Sequence, residues 1–438
     1  MKTAIIAVLF WLWVPHAAQA GEFVDFKQVW SKIRIDSSEI RAGQAQIKAS
    51  ESASERSARH WMPGLTLMGR GVHTNDPAQI FFSRLGQRSV DSGDFNPPAL
   101  NQPGTAQFAS TSLGLQWSLY EGGGGMAHRD LQRSMAELKN IEKDRAELEA
   151  YIEAASGYAT ILHAEETLTS VKGLQSTVQA VLSRYSVGSR SNPVGYSGLL
   201  GLKSLLNRIH AVEEQLMTEA DAARSRIRAL SNEVPVDFQV RKEPVSTFLS
   251  VALPEDHLIG GDSLSMNQAE KGVRASEAAV GIDRARALPQ FGVFGEGSVI
   301  TGARSTGAAY SAGVFLKWNL FDPRDFGTLY EKRLERDAAQ FRLEGVQAAI
   351  RSGQESGLKS LRSIGKNEKL LLESLALMAE QVEVASRLFQ SGSIPALQLV
   401  EVYNRRLDLL LNFQDLQRQH IQTRTSLARL VSVKGVAQ

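Results

Sequence analysis

Few residues in this chain are placed to do chemistry. Cysteine is absent, which excludes thiol catalysis, disulfide frameworks, zinc–thiolate sites and a lipid-modified N-terminal cysteine. Beyond residue 20 the histidines are His60, His73, His128, His163, His210, His257 and His420. They are scattered, with no His-Glu-x-x-His and no paired ligand spacing, so no metal site is predicted. Gly122-Gly-Gly-Gly125 lies between a predicted strand and a predicted helix, the setting of a phosphate loop. It lacks the Gly-Lys-Ser/Thr that would hold phosphate and metal, and it reads as a flexible turn. Gly365-Lys366 is followed by Asn367, has Ser360 where the first loop glycine belongs, and falls within a predicted helix. These residues predict no active site and no cofactor.

The 438 residues carry 49 Lys+Arg against 47 Asp+Glu. Near-cancellation removes the basic field that a nucleic-acid partner would require. Lys2, the apolar run 4–14 and Ala18-Gln19-Ala20 read as a secretory signal over residues 1–20, with the mature chain starting at Gly21. No later stretch has the roughly 20 apolar residues of a spanning helix. Any membrane insertion must therefore use strands.

The elements repeat. The first repeat, 21–261, is predicted to hold helices at 26–61, 126–185 and 196–231, strands at 65–73 and 108–120, and a connector at 234–261. The second, 262–438, has helices at 264–288, 326–390 and 396–433 and strands at 290–300 and 310–321. Residues 74–107 read as a long loop, punctuated by Asp76-Pro77, Asn96-Pro97-Pro98 and Pro103-Gly104. The strands alternate: Leu113, Leu115, Trp117 and Leu119 oppose Ser112, Gly114, Gln116 and Ser118. Helices of about sixty residues would run roughly 90 Å, far beyond an ordinary globular helix. Trp117-Ser-Leu-Tyr-Glu-Gly aligns with Trp318-Asn-Leu-Phe-Asp-Pro at an offset of 201 (318 − 117), and Gly188 with Gly392 at 204 (392 − 188). Pro63 and Pro289 mark both helix-to-strand transitions at an offset of 226 (289 − 63), as a longer first inter-strand loop would produce.

Half-apolar strands cannot stand alone in hydrocarbon, because open edges leave backbone groups without partners. Four strands are too few to close a barrel, so several copies must pool theirs, and a homotrimer gives twelve. Arg70 and Glu296 then face the lumen. Tyr403, Leu407, Leu410, Phe413 and Leu416 form an apolar stripe on the last helix, read as core packing.

From about residue 26 to 433 the chain resembles the TolC-like outer membrane efflux proteins, trimeric channel-tunnels of Gram-negative bacteria. The resemblance rests on Ala58-Arg-His-Trp-Met-Pro63 and Ala285-Arg-Ala-Leu-Pro289 before the odd strands, and on the two Trp motifs after the even ones. The hairpin tips Arg184-Tyr-Ser-Val-Gly188 and Arg387-Leu-Phe-Gln-Ser-Gly392 complete it. It implies a mixed α and β membrane fold: a twelve-stranded outer membrane barrel continued by a periplasmic α-helical barrel. It also implies surrounding outer membrane lipid and docking to a periplasmic adaptor and an inner-membrane transporter, for efflux or type I secretion.

The resemblance assigns the tips Tyr185, Val187, Gly188, Phe389 and Gly392 to adaptor contact. It also places pore-lining acids six and nine positions after the second turn glycine, which are Gln398 and Glu401 here. One acid is kept and one is an amide. Gly188 and Gly392 also fit simple helix ends. Two alternatives of other classes are a periplasmic adaptor, expected to show one hairpin inside split β domains, and a trimeric coiled-coil surface protein, expected to show sustained heptads and no duplicated strands.

Overall fold

The computed structural model describes residues 23–184, 193–236, 238–258, 263–323, 325 and 327–431. The leader at 1–20 and the first hairpin tip, with Tyr185, Val187 and Gly188, lie outside the described residues. In chain order come β1 (Phe23–Val24), α1 (Phe26–Asp36), α2 (Ser38–Ser57), β2 (Gly64–Thr74), α3 (Pro77–Gly86) and α4 (Pro97–Asn101). Then follow β3 (Ala106–Tyr120), α5 (Gly124–Arg184), α6 (Pro193–Leu230), β4 (Gln239–Val240) and α7 (Val245–Ala252). The remainder is α8 (Leu264–Arg286), β5 (Gln290–Gly302), β6 (Thr306–Lys317), α9 (Thr328–Gln390) and α10 (Ala396–Ala428).

Several boundaries differ from those predicted. The helix expected over 26–61 breaks at Ser37, whose backbone (φ −55°, ψ 123°) leaves the helical region between α1 and α2. The stretch 74–107 is not a bare loop but holds α3, a 3-10 turn (Ser92–Phe95) and α4. Its Asp-Pro step is a helix start: the Asp76 carboxylate accepts from Ala78 N at 2.9 Å, and Pro77 occupies the first turn. The fourth strand ends at Lys317, short of the predicted 321. The connector 234–261 contributes β4, which pairs in parallel with β1 through Phe23↔Gln239 and Val24↔Val240. A two-residue ladder between distant segments leaves no periodicity to read.

The residues divide into two compact units. The first comprises the described residues up to Gln44, Glu142–Ser265 and those from Ala348 onward. Its core is a four-helix seam: Val171, Leu174 and Val178 of α5 meet Leu202 and Ile209 of α6, with Leu399, Tyr403 and Leu407 of α10 and Val382 of α9. Each fully buried aliphatic side chain there contributes roughly 1.5–3 kcal/mol. The α10 stripe is buried at Tyr403, Leu407, Leu410 and Leu416, but Phe413 is only half-buried. Its neighbour Gln414 is buried instead and donates from Nε2 to Glu219 Oε2 at 3.3 Å.

A second cluster in this unit ties the connector to the helices. Phe26 packs edge-on against Tyr151, Tyr158 and Phe248 at centroid distances of 5.5, 5.6 and 5.2 Å. The Tyr158 hydroxyl donates to Val24 O (3.1 Å) and accepts from Arg241 N (3.1 Å), joining the two short strands. Tyr151 donates to Ala252 O at 2.8 Å, and burial pushes both phenols up to about 12. On α10 the buried Arg424 donates to Leu253 O (2.7 Å), Leu249 O (3.3 Å) and His420 Nε2 (2.9 Å). The guanidinium thus supplies a donor to the Leu253 carbonyl beyond the end of α7 and a second donor to Leu249 O, which also accepts from Leu253 N.

The second unit, Ala45–Ile141 with Met266–Gln347, contains the antiparallel sheet β2-β3-β5-β6. Here the duplication is visible as chemistry. Trp117 Nε1 donates to Trp61 O (2.7 Å) and Trp318 Nε1 to Ala287 O (3.2 Å), each acceptor two residues before Pro63 or Pro289. After each even strand a glycine with positive φ, Gly123 (85°) or Gly327 (90°), turns the chain into the long helix.

Two predictions follow from the buried polar groups. Replacing Arg424 with Met should strand the acceptors on Leu253 and His420 and cost about 3 kcal/mol, read as a lower unfolding temperature. The buried histidines set a pH window. Burial holds both His163 and His420 down at about 4, with Arg418 and Arg424 respectively adding to the effect. The unfolded chain therefore takes up protons first, and the stability these rings lend is complete above about pH 6.5, lost progressively as pH falls through 4. The loss should be on the order of 3 kcal/mol per ring. A His163→Gln, His420→Gln double variant should flatten the unfolding-temperature profile across that window; an unchanged profile would contradict the assignment.

Candidate functional site

The register of the sheet sorts its side chains onto two faces. Leu65 pairs with Leu115, and Leu67 with Leu113. Trp117 pairs with Val293, and Thr111 with Val299. Val293 pairs with Val314, and Phe291 with Leu316. Alternate side chains share a face, so these residues make one broad apolar surface. Leu65, Leu67, Val314 and Leu316 are all more than two-thirds exposed in the single chain. The opposite face carries Thr66, Ser110, Ser112, Gln116, Ser298 and Ser311, with a few large residues such as Phe294 and Ile300. Arg70, opposite Ser110, and Glu296, opposite Gly114 and Ser311, both belong to this polar face. Their partners stand four residues apart on β3, roughly 13 Å along the strand, so they share a face without forming a pair.

Each edge of this sheet is open. In the order β2-β3-β5-β6, β2 and β6 each have one neighbour, and their outer N–H and C=O groups face outward along 11- and 12-residue strands. Pro63 and Pro289 occupy the single residue between helix-terminal turn and strand in both repeats.

At the second hairpin tip α9 ends in a Schellman turn. Ser393 N donates to Leu388 O (2.8 Å) and Gly392 N to Phe389 O (3.0 Å), with Gly392 at φ 77°. Phe389 is half-buried and packs against the four-helix seam, so it supports the tip from within. Gln398 and Glu401 are exposed on the side of α10 away from the buried Leu399, Val400 and Tyr403. Glu401 accepts from Arg405 Nη2 at 2.5 Å, one helical turn on, with both side chains 61% exposed. Such a solvated pair adds a few tenths of a kcal/mol at most. Its effect is on charge: Arg405 partly offsets the acid that a pore ring would present.

Other residues had no signal in the pattern. The indole bonds of Trp117 and Trp318 lie behind motifs that served only as landmarks. Asp94, held between Arg84 and Arg304 at 2.8 and 2.7 Å, joins residues 210 positions apart. Among the described residues no group of His, Asp and Glu is placed to hold a metal ion.

Residues 260–432 match the family model for outer membrane efflux proteins. No curated protein matches the chain. Among solved structures, the channel-forming protein CusC is 14% identical, with 94% of each chain covered and a TM-score of 0.75. The outer membrane protein VceC of Vibrio cholerae is 13% identical over 93% of this chain and 97% of its own, at a TM-score of 0.73. The MtrE outer membrane channel of Neisseria gonorrhoeae, in its open state, is 15% identical over 92% and 88%, at 0.71. At these identities the likeness is one of fold. Residues 260–432 thus carry a match to the outer membrane efflux protein family, and nearly the whole length of the chain shares the fold of these channels.

Proposed function

We propose that this protein is the exit duct of a tripartite export system: a passive outer membrane channel. The observation that carries this reading is a sheet with one apolar face, one polar face and two open edges. In hydrocarbon such edges must be paired, and copies of this sheet pair them by closing into a barrel, apolar face to lipid and polar face to water. No helix among the described residues is long and apolar enough to cross a membrane. β6 of one copy and β2 of the next run in opposite directions, continuing the antiparallel order. Three copies give twelve strands.

Arg70 and Glu296 then line the lumen. The seam of α5, α6, α9 and α10 builds the tunnel wall on the periplasmic side. The hairpin tips, with Tyr185, Val187, Gly188 and the Gly392 turn, meet a periplasmic adaptor that links the duct to an inner-membrane transporter; Phe389 braces that surface. The duct itself supplies no energy and binds no cofactor. Neither alternative is favoured: two sheet-and-hairpin repeats exceed an adaptor's single hairpin, and the duplicated strands are foreign to a coiled-coil stalk.

Near the tunnel entrance, Glu401 of three copies would favour cations, with Gln398 reading polarity but not charge. The test is single-channel conductance and ion preference in a planar bilayer. Glu401→Ala should reduce cation preference, and Arg405→Ala should raise it by removing the offsetting charge. Selectivity unmoved by both would remove Glu401 from the pore lining.

A further inference from the structure

The insertion between β2 and β3, residues 77–101, leaves the sheet at the end opposite the helices. There it folds back across the tips of β5 and β6. Three glycines clear its seat. A Cβ on Gly307 would collide with the Gly86 carbonyl oxygen, one on Gly302 with the Gln87 side chain, and one on Gly86 would lie 2.6 Å from Ile300 Cδ1. Ile300 pairs with Ser110 and Gly307, so it stands on the polar face, in line with Ser298 and Glu296. The insertion therefore packs against the face opposite the apolar one.

Its anchors are specific. Arg304, in the β5–β6 turn, donates to Asp94 Oδ2 (2.7 Å) and Ser89 O (3.1 Å), and lies 3.5 Å from Asp91. Arg84 donates to the other Asp94 oxygen at 2.8 Å, and Asp91 N donates to Asp94 at 3.0 Å. The Asp94 carboxylate is 2% exposed, and the Arg304 bond holds its pKa below the usual carboxylate range. Ser305 N donates to Gln87 Oε1 (3.2 Å), and Arg88 donates to Ala308 O (2.8 Å). Arg88 is the one non-glycine with positive φ among the described residues, at 53°, a strained conformation that the surrounding contacts must hold.

We propose that this insertion is the exit constriction of the duct: folded inward from each copy, it limits the size of what leaves, and the Arg304–Asp94 contact is its latch. The inference rests on the duct reading above. It adds a permeability-determining segment at the outer mouth, far in sequence from the hairpin tips.

The cysteine-free chain makes the test direct. Ser298→Cys places a thiol on the polar face below the insertion, and Val299→Cys places one on the apolar face as a control. Whole cells are treated with a small membrane-impermeant maleimide or with one carried on a long polyethylene glycol. The small reagent should label Ser298→Cys, and the bulky one should label it slowly. Adding Arg304→Ala should speed bulky labelling roughly tenfold or more, the shift expected from losing a charge-assisted bond. Replacing residues 77–101 with a short Gly-Ser linker should do at least as much and does not depend on the latch. Bulky labelling that is equally fast with the insertion intact, unlatched or removed would overturn the constriction. Faster labelling in the shortened variant but not in Arg304→Ala would overturn the latch. No labelling of Ser298→Cys by either reagent, even with the insertion removed, would overturn the duct reading itself.

Discussion

The unpaired backbone of β2 and β6 constrains everything else in this chain. Each long edge strand presents N–H and C=O groups that water can satisfy but lipid cannot. The apolar face built by Leu65, Leu67, Leu113, Leu115, Trp117, Val293 and Val314 calls for lipid, while the edges forbid it in a single copy. Assembly resolves the conflict. On the reading proposed above, identical neighbours complete the sheet, and head-to-tail pairing of β6 with the β2 of the next copy closes into a ring. The insertion on the opposite face and the tip helices acquire their roles from that closure.

The duplication extends to individual bonds. In both repeats a tryptophan, Trp117 near the end of β3 and Trp318 just beyond β6, reaches back to the carbonyl two residues before the proline that precedes β2 or β5. The indole thus fastens the end of one element to the start of another at each passage from helix to strand. Both prolines suit a position where helix must stop, and both turn glycines take backbone angles closed to other residues. Departures from the repeat carry individuality: the first inter-strand connection has grown a folded insertion, and the second is a tight turn carrying Arg304, which grips it.

Much of this was legible from residue order because the signals are local and periodic. Alternation in residues 108–120 marked a strand and its two faces, and Arg70 and Glu296 were read as facing the lumen, opposite the apolar faces. The long helices announced themselves by length and by scarce proline. What escaped was non-local or borderline. The β1–β4 ladder is two residues long, too short for a period. Asp76-Pro77 signals a turn and a helix start equally well, and α3 went unread. Ser37 breaks a helix without proline or glycine. The bond between Arg304 and Asp94 joins residues 210 positions apart, a contact that composition cannot announce. Of the tip residues that the resemblance assigns to adaptor contact, Tyr185, Val187 and Gly188 lie outside the described residues, and Phe389 is half-buried against the four-helix seam.

The central claim is that closure of the open edges by identical copies makes the channel. The most direct measurement is the native mass of the protein extracted from outer membranes in mild detergent. Three protomers per particle, dissociating only when the β structure melts, is the result this account predicts. A stable monomer would leave β2 and β6 unpaired in lipid and would contradict it.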